Sequence, residues 1–165
     1  MTTRIATSEA DLSEVSAETG PSAEALAGLP AELRADLARA HNSLLEAELA
    51  PSTAAACSAA HRAALQGAAA VFRATGPRRR TVQPVQMWHL LADAAPELGE
   101  WAAFFELVQP RVQAAASGVR VGQRQSDDLV RDAGAFLDAV TSFLSRNTAL
   151  SRNTACRPAS DRSGA

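Results

Sequence analysis

Between Leu129 and Leu144 the apolar side chains Leu129, Ala133, Phe136, Leu137, Val140, Phe143 and Leu144 recur at three- and four-residue steps. An α-helix completes a turn about every 3.6 residues, so this spacing gathers them on one face. A face that apolar must be buried against other elements. The stripe predicts a helix over about 126–145, with Ser126 as its N-cap and Asp127 and Asp128 in the first turn, where carboxylates complement the helix dipole.

The same period recurs upstream and supplies the partners. Leu33, Leu37, Ala40, Leu44 and Ala47 predict a helix over about 30–49, with Pro30 suited to its first turn. Pro51-Ser52-Thr53 interrupts it, and a serine or threonine there can accept from the free amides of a second helix running to about Thr75. Gly76-Pro77 ends that helix, whose apolar side carries Cys57, His61, Ala64, Ala68, Val71 and Phe72. Pro84 then opens a short helix with Trp88, Leu90 and Leu91, which stops near Ala95 because a residue before proline avoids helical geometry. Pro96 and Glu97 start a further helix carrying Trp101, Phe104, Phe105 and Val108, kinked at Pro110 and stopped at Ser117-Gly118. The fold class is therefore all-α, an up-and-down bundle of about four to five helices.

Size within this bundle is unevenly distributed. Residues 88–105 hold both tryptophans and two of the five phenylalanines, and the chain has no tyrosine. Alanine favours helix but buries little surface, so the large rings must fill the centre. Outside about 29–145 this patterning fades. Residues 1–28 are rich in Ser, Thr, Ala and Glu, and 146–165 repeat Ser-Arg-Asn-Thr-Ala, so both are expected to be disordered tails around one domain.

Several function classes are disfavoured at this level. The net charge is -2 and all 16 basic residues are arginine, so any nucleic-acid surface must be a local patch. No segment reaches the roughly 18 apolar residues of a spanning helix, and residues 1–10 lack the apolar run of a signal peptide. A cytoplasmic protein without membrane contact is expected. Cys57 and Cys156 show neither metal-ligand spacing nor a disulfide framework. No two histidines stand four residues apart, and no Gly-rich phosphate loop or Gly-x-Ser-x-Gly turn occurs, so neither a metal nor a cofactor is expected.

The remaining chemistry lies in histidines and arginines. His61 falls on an apolar helix face, where a core imidazole is the simpler reading. Arg34 and His41 share a face two turns apart, and His89 stands beside Trp88; these three are weak catalytic candidates. Asp127 and Asp128 are adjacent and point about 100° apart on a helix, which suits capping better than shared proton transfer. Arg78, Arg79 and Arg80 form the one basic cluster, in a polar connection between helices. Guanidinium forks hold phosphate at two points, so these arginines are candidates for RNA or nucleotide phosphate, against the plainer reading of a solvated linker.

The segment Trp88-His89-Leu90-Leu91, the run Ala95 to Phe105 and the run Ser126 to Ala133 together resemble the actinobacterial SAV_6107-type HEPN domain family. The resemblance covers about residues 29–145, and its fingerprint here is Trp88, Pro96, Glu97, Trp101, Phe105, Asp127, Asp128, Leu129 and Arg131. It implies a HEPN-type helical bundle, many members of which dimerise and act as ribonucleases or as noncatalytic RNA-binding companions. Catalytic members carry Arg, four to six residues, then His near the start of a late helix. After Gly118 this chain has Arg120, Arg124 and Arg131 but no histidine. Arg34 and His41 have the spacing, but in the first helix, where the class does not place its motif. The expectation is a noncatalytic HEPN-like module binding RNA or nucleotide phosphate, with a metal-independent ribonuclease or a protein-interaction and homodimerisation module as alternatives.

Overall fold

The computed structural model describes residues 23–75 and 86–155. Six α-helices follow one another: α1 (Ala23–Ala27), α2 (Ala31–Glu48), α3 (Thr53–Thr75), α4 (Met87–Ala94), α5 (Gly99–Ala116) and α6 (Gln123–Ala155). A single 3-10 turn, Pro96–Leu98, joins α4 to α5, and the described residues contain no strand. The all-α bundle expected from the periodicity is the architecture observed.

Local chemistry accounts for most boundaries. Ser52 Oγ accepts from the Ala55 amide at 3.2 Å and caps α3, as the break at Pro51 suggested. Ala95, ahead of Pro96, is extended at φ -142° and ψ 80°, and α4 ends there. The end of α5 is a Schellman turn: the Gly118 amide donates to the Ala115 carbonyl at 3.1 Å and the Val119 amide to the Ala114 carbonyl at 3.0 Å. Gly118 takes φ +98° to allow it. Pro110 lies inside α5 without ending it.

Two expectations at the last helix are corrected. α6 begins at Gln123 rather than at Ser126, after Gly122, whose amide donates to Gln125 Oε1 at 3.4 Å. Ser126 is consequently inside the helix and fully buried, where its hydroxyl donates to the Thr53 carbonyl at 3.3 Å and ties α6 to the start of α3. Asp127 and Asp128 are likewise past the first turn and bind side chains instead of amide ends. Asp127 accepts from Gln123 Nε2 at 2.8 Å, and Asp128 pairs with Arg131 at 2.9 Å.

The outer limits also differ. The expected leader, 1–28, contains helix α1, and the expected tail, 146–165, is helical as far as Ala155. The two stabilise each other. Ser145 Oγ donates to the Ala25 carbonyl at 3.1 Å, Arg152 donates to the Gly28 carbonyl at 3.1 Å, and Leu26 and buried Leu29 join the core. Arg146 anchors the same stretch on Glu97 at 2.6 Å. Long-range contacts of this kind leave no periodic signal in so short and polar a segment.

The central element is α3, packed against α2, α4, α5 and α6. Its alanines at 60, 63, 64, 68 and 70 are fully buried, and their small size lets neighbouring helices approach. The closest approach is at Gly67, where a Cβ would stand 2.6 Å from Leu137 Cδ2 of α6. Between α3, α4, α5 and α6 the rings of Trp88, Phe105 and Phe136 form the buried centre, with half-buried Trp101 at its edge. Asp36 is the buried carboxylate of α2. Arg39 pairs with its Oδ1, and Arg73 of α3 stands 3.1 Å from Oδ2, so one charge ties two helices.

Candidate functional site

The three histidines have three different surroundings. His61 is buried in α3, with ring centroids 5.9 Å from Trp88 and 6.4 Å from Phe105. Burial among these rings disfavours the charged imidazolium and lowers the pKa below the usual 6.5. His61 Nε2 finds no hydrogen-bond partner among the described residues, and neither does Trp88 Nε1. The ring belongs to the core, as its apolar helix face suggested. His89 is exposed on α4, with Nδ1 3.5 Å from Glu106 Oε2.

His41 lines a cleft. Its Nδ1–H donates to the Leu37 carbonyl at 2.8 Å, which fixes the tautomer and leaves Nε2 as the accepting nitrogen. The cleft, about 830 Å³, lies between α2, the α2–α3 turn and α6, and Arg131 lines it with His41. Helix packing thus unites residues from opposite ends of the sequence. Their charges, however, do not suit a phosphodiester. Glu48, Asp127 and Asp138 line the same cleft, and Arg131 is drawn to Asp128 at 2.9 Å and Asp132 at 3.9 Å. An excess of carboxylates repels a phosphate chain and leaves no free guanidinium beside the imidazole.

Arg34 does not line that cleft. It is exposed on α2, two turns from His41, or about 10 Å along the axis at 1.5 Å per residue. Arg78, Arg79 and Arg80 lie outside the described residues.

The fingerprint residues divide by role. Trp88, Phe105 and Leu129 are core, and Trp101 covers its edge. Pro96 starts the 3-10 turn, and Glu97 beside it accepts from Arg146. Asp127, Asp128 and Arg131 are surface groups of α6 joined to neighbours one turn away. Sequence reasoning missed the meeting of His41 with Arg131, and also a second, smaller pocket containing Arg111 and Arg120 at the α5–α6 turn. Both depend on which helix faces meet, and neither leaves a local motif.

Among the described residues, no three His, Cys, Asp or Glu side chains converge as a metal-holding group, and no helix is long and apolar enough to cross a membrane.

The described residues form an all-α bundle, in which a short aromatic helix turns at Pro96 into a long one. A family model described as SAV_6107-like HEPN matches residues 47–141, and the chain belongs to that family. The matched span begins after His41, so Arg34 and His41 both lie outside it. Neither a curated protein nor a solved structure matches the chain.

Proposed function

We propose that this protein is a noncatalytic HEPN binding module. The observation that carries the reading is the surroundings of its three histidines. His61 is sealed in the core, His89 faces a carboxylate, and His41 lies in a cleft whose arginine is engaged by two aspartates. Ribonucleolytic transfer needs a proton-transfer group beside a free cation that stabilises the developing phosphorane charge, and the arginine that lines the His41 cleft is already held by Asp128 and Asp132. The ligand class, RNA or nucleotide phosphate, rests on the Arg78-Arg79-Arg80 cluster of the sequence, where guanidinium forks suit phosphate oxygens.

Incubation with labelled single-stranded RNA, followed by filter binding across a salt series, tests both parts. The expected result is intact RNA and salt-sensitive binding that is lost in an Arg78→Ala, Arg79→Ala, Arg80→Ala variant. Cleavage abolished by His41→Ala or His89→Ala would establish the ribonuclease instead. No binding at low salt would remove RNA as ligand.

One observation favours a protein partner or homodimer as the second reading. Leu45 in the last turn of α2 and Leu49, its C-cap, are 53% and 76% exposed and border a groove with Pro51, Ala55 and Ala59. Exposed leucines grouped along a groove mark association surfaces more often than isolated ones do. Light scattering of the wild type and a Leu45→Ser, Leu49→Ser variant discriminates: a dimer that dissociates in the variant supports this reading.

A further inference from the structure

At the end of the bundle where α5 turns into α6, a pocket of about 340 Å³ opens between Cys57 of α3, the second half of α5, the connecting loop and the first turns of α6. Phe104, Val108, Val112, Val121 and Leu129 supply its apolar walls. The loop is held by the Schellman turn, with the Val119 amide on the Ala114 carbonyl at 3.0 Å, so the lip is fixed to α5 through the backbone. Val119 itself lines the pocket and is 58% exposed.

Charge at the mouth is uneven. Arg111 and Arg120 line the pocket, and neither makes a side-chain hydrogen bond or ion pair with any described residue. Asp128 and Asp132 line it too, but both are served by Arg131, which reaches them at 2.9 and 3.9 Å. Two arginines and two carboxylates thus line the hollow, but the carboxylates are engaged by Arg131 from outside it, and the two unpaired guanidiniums stand at its apolar walls. This differs from the His41 cleft, where carboxylates are in excess.

We infer that this pocket binds a small organic anion with an apolar body, an aryl or short acyl carboxylate or phosphate monoester, whose head group is held by Arg111 and Arg120. The volume is near the lower end of ligand pockets, about 300 Å³, which suits one ring system or short chain and excludes a polymer. The walls bury the body and the guanidiniums select the head by charge-assisted hydrogen bonds. The site is independent of the arginine cluster invoked for RNA, so the two readings fail separately.

The probe is 1-naphthoate, titrated into the full chain and followed by calorimetry and amide chemical shifts, alongside neutral 1-naphthamide and inorganic phosphate. Expected is saturable naphthoate binding with shifts at Val119, Val121 and Leu129, and about tenfold or weaker binding of naphthamide and of phosphate. An Arg111→Ala, Arg120→Ala variant should lose about tenfold or more in naphthoate affinity, while its circular dichroism is unchanged because both side chains are exposed. The Arg78→Ala, Arg79→Ala, Arg80→Ala variant should bind naphthoate as the wild type does. The inference is overturned if naphthamide or phosphate binds as tightly as naphthoate, if the Arg111 and Arg120 variant is unaffected, or if the shifts map to another part of the bundle. RNA binding without naphthoate binding overturns this site alone, and the converse overturns the RNA reading alone.

Discussion

Trp88 of α4 stacks on Phe105 of α5 with ring centroids 5.0 Å apart and planes 16° from parallel. The same phenylalanine also stands 6.3 Å from Trp101, with planes 24° apart. Pro96 makes this possible by ending α4 and turning the chain, which sets two consecutive helices side by side with one tryptophan on each. Offset rings in such pairs contribute beyond the area they bury.

Phe105→Ala removes the ring common to both pairs from a fully buried position, and the expected loss is about 3 to 5 kcal/mol in urea unfolding. Trp101→Ala should cost less, about 1 to 3 kcal/mol, because its ring is only half-buried. An equal loss in both variants would show that the edge ring is as essential as the centre.

His61 makes stability depend on pH. Its pKa is lowered in the folded state, so the unfolded chain binds the proton more readily and folding is favoured as pH rises. The contribution is present in full above the unfolded value of 6.5 and is lost as pH falls from there toward the lowered folded value. Melting measured between about pH 7.5 and 5.5 should show a steeper loss in the wild type than in His61→Leu. Identical slopes would mean that the folded imidazole accepts its proton without penalty.

Gly118→Ala should destabilise by about 1 to 2 kcal/mol, because φ +98° is unfavourable for any residue with a Cβ. Nothing lies within 4 Å of the position a Cβ would take, so the cost is one of backbone conformation alone. A melting temperature lowered by several degrees checks it. The substitution should also weaken naphthoate binding, since the turn positions Val119.

The Arg146–Glu97 pair should contribute little despite its 2.6 Å separation, since the side chains are 59% and 63% exposed. A double-mutant cycle with Arg146→Ala and Glu97→Ala should give a coupling of about 0 to 1 kcal/mol that declines with salt. Limited proteolysis should nonetheless cut sooner near residue 150 in the Arg146 variant, because the pair helps hold the end of α6 to the bundle.

Particular residues show what was legible in the sequence. The breaks at Pro51, Pro96 and Gly118 bounded α2, α3 and α5 to within about three residues, and the stripe from Leu129 to Leu144 gave the middle of α6 but neither of its ends, because periodicity and chain geometry are local properties. Ser126 shows where local reasoning failed. An acid-rich Ser-Asp-Asp start has the form of a cap, yet the serine is buried against Thr53 and the helix begins a turn earlier. The candidate site was less legible still. Spacing singled out Arg34 with His41, whereas packing places His41 opposite Arg131 and surrounds both with carboxylates.

The sequence by itself determined that this chain is helical and where most of its breaks fall. Each of these follows from neighbours a few residues apart. Tertiary structure alone decided which charges are used up and which remain free. Arg131 and Arg120 are the same residue type on adjoining elements, but Arg131 is held by Asp128 and Asp132, while Arg120 stands unpaired at an apolar pocket. Coulomb interactions act over a few ångströms of space, not along the chain, so only the folded bundle distinguishes the two.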